Sequence, residues 1–245
     1  MRTLPLLLCA LLGALPAAAR DAVLVKAKGK VSVKADGTDK FVKTQEGATL
    51  LYGDTVRVGK NSVAQLTMGE NAAVLVREDS EFLIGGSAAQ TELDFSFGEF
   101  LVGLRKKLTQ KQSFRLRTPA AVAAIRGTLF WGKSDKKTKS STYAGFGGQV
   151  RVEAQGQAVE VTPGKTVTVA FGSAPADPVP STVTLDYAGK FMVDGTLQGL
   201  ETLARETEPG DAVAPAPAPA KAPAKKKKRV KKAAKADAEP SLKPE

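Results

Sequence analysis

The sequence contains no histidine and a single cysteine, Cys9. Without imidazole there is no Ser-His-Asp triad, no usual acid–base catalyst and none of the commonest transition-metal ligand. Cys9 lies in an N-terminal segment expected to be removed, so the mature chain should carry no thiol, no disulfide and no cysteine metal site. Long apolar runs are also missing beyond the N-terminus: no later segment reaches the ~20 apolar residues of a helical membrane span. Paired carboxylates are not indicated either. Asp54 with Glu70, and Asp94 with Glu99, obey no spacing rule for an acid–base pair. The run from Asp36 to Asp39 lacks the ligand number and the glutamate of a calcium loop and reads as a turn. No enzyme, no metal and no cofactor are therefore expected.

What is present begins with an address. Arg2, the apolar run Leu4 to Leu15 and the small residues Ala17, Ala18 and Ala19 have the form of a secretory signal peptide over residues 1–19. Cys9 follows three leucines and sits too early for a lipoprotein signal. The mature protein is expected to be exported, to the periplasm or cell envelope, with no membrane span after cleavage.

From Val23 onward the chain alternates with period two. VLVKAKGKVSVKA reads as two strands around Gly29, and turn signals recur every eight to twelve residues. Asp36-Gly37, Gly53-Asp54, Gly147-Gly148 and Pro163-Gly164 are the clearest of them. Gly98 reads as a bulge or turn dividing LDFSFGEFLVGL into two strands. Phe95, Phe97 and Phe100 have strand spacing and are assigned to the core. Tyr52, Trp131 and Tyr143 stand near turns and are the better candidates for surface contact. The pattern predicts an all-β sandwich or roll of many short strands over residues 20–172.

Two stretches stand out. The first is LLYGDTVRVGKNSVAQL, where Gly53-Asp54 suits a tight turn and Ser62 can close the next one. The second is TPAAVAAIRGTLF, from Thr118 to Phe130. Gly127 there permits close backbone approach or a bulge. Arg126 can lay its stem on apolar neighbours while its guanidinium bonds carbonyls or a carboxylate, with Asp54 one candidate partner. The segment Ala120 to Ala124 can be a tight strand or a single helical turn, since Ala favours helix and Thr-Pro precedes it, and the extended form is preferred. Both stretches resemble the motifs of the FecR domain family. The resemblance rests on Leu51, Gly53, Asp54, Val56, Ser62, Ala64 and Leu66 in the first. In the second it rests on Thr118, Pro119, Ala121, Val122, Ala124, Arg126, Gly127, Thr128 and Phe130. Gly148, Val150, Val152 and Pro163-Gly164 extend it, so that it runs from about Val23 to Val169. It implies a FecR-like sandwich or roll and a role in envelope signal transduction. In the best-known family layout a cytoplasmic anti-sigma segment and a membrane span precede the periplasmic β domain. Here a cleavable signal stands in their place, so the anti-sigma activity is not carried over.

The rest of the chain differs in composition. Residues 173–181, SAPADPVPS, read as a proline-rich linker. Within 182–208, Leu197, Leu200 and Leu203 recur at threes, which suggests a short helical or extended add-on. Residues 209–245 form an Ala/Pro/Lys-rich tail with the composition of a disordered segment. From Asp211 the chain holds ten Lys/Arg against four Asp/Glu, so the tail carries more than half of the net charge of +11. Lys225, Lys226, Lys227, Lys228, Arg229, Lys231 and Lys232 are candidate polyanion ligands. For an exported protein the anions at hand are wall polymers, lipid head groups and lipopolysaccharide; nucleic acid is not expected. The composite expectation is a non-catalytic envelope module that binds an unidentified envelope protein or ligand and is held by a basic tether. A purely structural envelope protein and a periplasmic carbohydrate-binding module are the alternatives.

Overall fold

The computed structural model describes residues 22–184 apart from residues 70, 71, 88, 106 and 128. The signal segment, the span 185–208, the basic tail with its seven named cations, Glu70 and Thr128 lie outside the described residues. Every regular element within them is a strand. In the first half these are β1 (Ala22–Lys28), β2 (Val31–Lys34), β3 (Val42–Lys43), β4 (Thr49–Leu50), β5 (Thr55–Val58), β6 (Val63–Met68), β7 (Ala72–Val76) and β8 (Ser80–Gly86). A long strand, β9 (Gln90–Leu104), follows. Then come β10 (Ser113–Arg117), β11 (Val122–Ile125), β12 (Leu129–Ser134), β13 (Ser141–Gly147), β14 (Val150–Ala154), β15 (Gln157–Val161), β16 (Lys165–Val169) and β17 (Val179–Pro180).

All seventeen strands join one mixed hydrogen-bonded network, which folds into two sheets that share β9. In sheet A the order is β4-β1-β6-β7-β9-β12-β13-β16-β17. In sheet B it is β3-β2-β5-β8-β9-β10-β11-β14-β15. The first half of β9, up to Phe97, pairs with β8 and β10; the second half, from Gly98, pairs with β7 and β12. Each sheet therefore takes four strands from the chain before β9 and four from the chain after it. All strand pairings are antiparallel except β9 with β10.

Gly98 is where β9 changes sheets, and not a turn between two strands. Its φ of +133° lies where side chains are strained, and a Cβ there would overlap the Ser80 side chain. The Ser80 hydroxyl accepts the Glu99 N–H at 3.2 Å, so the missing side chain admits the group that holds the bend.

The core lies between the sheets. Alternation puts Leu66, Val74, Val102 and Val167 of sheet A, and Val56, Ile84, Leu116 and Val152 of sheet B, at 0–1 % exposure. Four phenylalanines run through it. Phe82 stacks on Phe95 at 4.7 Å between centroids, Phe95 meets Phe100 at 4.4 Å, and Phe130 stands edge-on to Phe100 at 6.1 Å. Phe97 is only partly buried, with the Lys136 ammonium 4.2 Å from its ring centroid. The proline-rich residues 173–181 end in β17, paired with β16 on the edge of sheet A.

Candidate functional site

The two motif stretches occupy different places, and each is built around polar side chains that tie turns together. Asp54 precedes β5. Its two carboxylate oxygens accept the Leu51 N–H at 2.9 Å and the Asp36 N–H at 3.1 Å. Its own carbonyl accepts the Ile84 N–H at 2.9 Å, and the Gly53 N–H donates to the Ile84 carbonyl at 2.7 Å. One buried carboxylate thus fastens the β2–β3 turn to the β4–β5 turn, and the backbone of Gly53 and Asp54 ties both to β8. Ser62 repeats the device: its hydroxyl accepts the Lys30 N–H at 2.8 Å and donates to the Lys60 carbonyl at 2.9 Å, joining the β5–β6 turn to the β1–β2 turn.

In the second stretch Thr118 closes a tight turn over Pro119. Its hydroxyl donates to the Ala121 carbonyl at 3.0 Å and accepts the Ala121 N–H at 3.2 Å and the Ser141 hydroxyl at 2.9 Å. The Tyr143 hydroxyl lies 2.8 Å from the same oxygen. This cluster spans the sandwich, since Thr118 leaves sheet B while Ser141 and Tyr143 belong to sheet A. Burial drives the Tyr143 phenol well above the usual tyrosine range, while its hydrogen bonds with Thr118 and Ser141 act in the opposite sense.

Ala121 and Pro119 lie in and just after the turn, and β11 runs extended from Val122. Arg126 and Gly127 then carry the chain from sheet B into sheet A. Gly127 has a φ of +130°, and a Cβ there would stand 2.9 Å from Lys107 Cγ, so backbone and side chain pass closely. Phe130 is fully buried in the phenylalanine row. Arg126 is half-buried, and its side chain makes no hydrogen bond or ion pair with another described residue. The anticipated pairing with Asp54 is not formed; the two Asp54 oxygens accept the Leu51 and Asp36 amides instead. The bonds from Arg126 to local carbonyls are likewise not made among the described residues.

Two of the aromatic residues assigned to the surface are interior. Tyr143 is 1 % and Trp131 5 % exposed, while Tyr52 is half-buried. Ser141 and Tyr143 complete the Thr118 cluster and were not singled out as a set; their separation from Thr118 by 23 and 25 residues leaves no local signal. Asp94 and Glu99 diverge: Asp94 sits on the sheet B half of β9, while Glu99 on the sheet A half accepts the Trp131 indole N–H at 2.9 Å. Among the described residues no three His, Cys, Asp or Glu side chains gather around one possible metal position. No described helix is long and apolar enough to cross a membrane.

An open groove of about 630 Å³ is lined by residues of β2, β3, β4 and the turns beside them. Val33, Val42 and Leu50 give it aliphatic walls, Thr38 and Lys40 line its rim, and Asp54 reaches it from the first motif.

The profile described as "FecR protein" matches residues 54–174. Two crystal structures, at 2.50 and 1.65 Å resolution, of a candidate anti-sigma factor from Parabacteroides distasonis ATCC 8503 are similar to the chain. Each has a TM-score of 0.46 and 14 % identity, over 52 % of this chain and 59 % of that one. No curated protein matches the chain.

Proposed function

Because residues 54–174 of this chain are a FecR domain, we propose that the protein is a non-catalytic, signalling-related binding module of the cell envelope. The observation that carries the reading is the use made of the motif polar groups. Asp54, Ser62 and Thr118 spend their hydrogen-bonding capacity on turns of their own fold. Such residues define a rigid platform and leave no poised acid, base or nucleophile. The groove beside Asp54 is the place on that platform where a partner fits. Its walls are aliphatic, which suits an extended peptide segment better than a sugar ring, for which exposed aromatic faces would be required.

The signal-like N-terminus supports export, and the lysine-rich tail supports attachment to anionic envelope polymers. At about 1 kcal/mol for each basic residue near an anionic surface, the seven clustered cations suffice for attachment that salt reverses. A photo-crosslinker at Val42, in the full chain and in a chain ending before Lys221, tests the platform. Both forms should yield one discrete adduct in intact envelopes. Adducts from the full chain alone would assign all binding to the tail and refute the platform. Sedimentation with envelope fractions at low salt tests the tether: removal of Lys221 to Glu245 should weaken it, and equal sedimentation of both forms would refute it.

A further inference from the structure

Sheet A gathers several turns at one end. Lys28 of β1 lies opposite Val63 of β6, Ala64 opposite Val76 of β7, and Val76 opposite Phe100 of β9. Gly98 lies opposite Ser134 of β12, Ser134 opposite Ser141 of β13, and Ser141 opposite Val169 of β16. The β1–β2, β5–β6, β7–β8 and β12–β13 turns and the turn after β16 therefore share this end. They are rich in lysine. Lys28, Lys30, Lys60, Lys133, Lys136, Lys137 and Lys139 are all exposed, and none forms an ion pair with another described residue.

The acids beside them are engaged. Glu78 accepts the Asn61 N–H at 2.5 Å and pairs with Arg77 at 3.9 Å. Glu99 pairs with Arg77 at 3.5 Å and accepts the Trp131 indole N–H. Asp135 accepts the Thr138 N–H at 2.7 Å and the Lys137 N–H at 2.8 Å. These bonds hold its carboxyl below the usual range and shape the hairpin that carries four of the lysines. An aromatic ring stands next to that hairpin. Phe171 is 58 % exposed, with the Lys139 ammonium 5.4 Å from its ring centroid. A tight turn fixes it at a corner: the Ser173 N–H donates to the Ala170 carbonyl at 3.1 Å, and Gly172 takes a φ of +76°.

We propose that this end of sheet A is a docking face for a bilayer rich in anionic phospholipid, with Phe171 inserted among the head groups. From β1 to β16 the lysines spread over six strand spacings, about 29 Å along the sheet. A small anion reaches one or two of them, whereas a charged surface reaches all. The ring separates a bilayer from a soluble polyanion. A bilayer has an apolar layer beneath its charges, which stabilises an inserted phenylalanine; a soluble anionic polymer has none. The face belongs to the folded domain. The inference therefore rests neither on the basic tail nor on what occupies the groove beside Asp54.

Phe171→Trp in the full chain puts an indole on this face. Trp131 is the only natural tryptophan, so the unsubstituted protein supplies the background emission. The added emission is followed on titration with vesicles whose acyl chains are brominated, either of phosphatidylcholine alone or of phosphatidylcholine with phosphatidylglycerol. The mixed vesicles should shift it to the blue and quench it; the neutral ones should do neither. Changing Lys133, Lys136, Lys137 and Lys139 to glutamine in the same background should remove the response, since the affinity of the face falls roughly fivefold per charge, about several-hundredfold in all. All five altered side chains are exposed, so the cooperative unfolding transition should be kept. Vesicle binding that leaves position 171 unquenched would assign attachment to the tail and overturn the proposal. An undiminished response in the folded glutamine variant would overturn it too. So would an equal blue shift with a single-stranded oligonucleotide in place of vesicles, which would mark a face for soluble polyanions.

Discussion

Replacing Tyr143 with phenylalanine should make the protein less stable at neutral pH and more stable in strong alkali. The variant loses one hydroxyl, 2.8 Å from Thr118 Oγ1. Thr118 keeps its bonds to Ala121 and Ser141, so no partner is orphaned. The cost at neutral pH is then that of one ordinary buried hydrogen bond, about 1 kcal/mol. For a domain of this size that lowers Tm by about 2–4 °C. Alkali adds an opposing effect. Burial raises the Tyr143 phenol in the folded protein, whereas in the unfolded chain it ionises near pH ~10. A raised folded value means that the stabilisation is complete below the unfolded value and is lost as pH climbs above it. The loss is about 1.4 kcal/mol per pH unit, and only the wild type suffers it. The two stability curves should meet near pH ~11 and be reversed by pH ~12. Lysines and the other tyrosines titrate in both proteins and cancel. Urea unfolding followed by circular dichroism across this range measures the difference. Curves that stay parallel would refute a buried, un-ionised phenol.

Asp54→Ala strips a charged acceptor from two amides and should cost about 3–5 kcal/mol in denaturant unfolding, with Asp54→Asn recovering part of it. A loss below about 1 kcal/mol would show that the turns hold without it. Gly98→Ala combines a disfavoured φ with overlap on Ser80 and should cost about 3 kcal/mol or more. A Tm like that of the wild type would mean that β9 bends by other means. Arg126→Ala should change stability by no more than about 0.5 kcal/mol, since the side chain has no bonded partner among the described residues. A large drop would assign it a structural role; loss of the envelope adduct at unchanged Tm would make it a contact residue.

The strands themselves were legible because their signal is local. Val31 with Val33, or Val150 with Val152, announce a half-buried strand through period two alone. Turn chemistry marked the ends of most elements, and the motif residues pointed to the family. Sheet membership was not legible. Phe97-Gly98-Glu99 has the composition of a break, yet the chain runs straight through it from one sheet to the other. What distinguishes the two outcomes is Ser80, far away in sequence and filling the space that Gly98 leaves. The same holds at the Thr118 cluster. Tyr143 follows a polar loop and resembles a surface residue until Thr118, 25 residues earlier, is placed opposite its hydroxyl. Trp131 is buried on a face that an alternating pattern assigns to solvent. Local pattern therefore located strands and turns, and long-range pairing decided which face of each strand was dry.

The shared strand has a consequence for the order in which the protein can assemble. As the chain emerges N-terminus first, β1 to β8 can gather into two partial sheets, each ending on an unsatisfied inner edge, β7 in one and β8 in the other. The same strand satisfies both edges, and β9 does not end until Leu104. Until then the nascent half presents two open ladders to any neighbouring chain, the situation in which strands mispair between molecules. Holding that half extended until β9 is available would avoid the hazard, and a protein divided at Gly98 could not be rebuilt as two independently folding pieces.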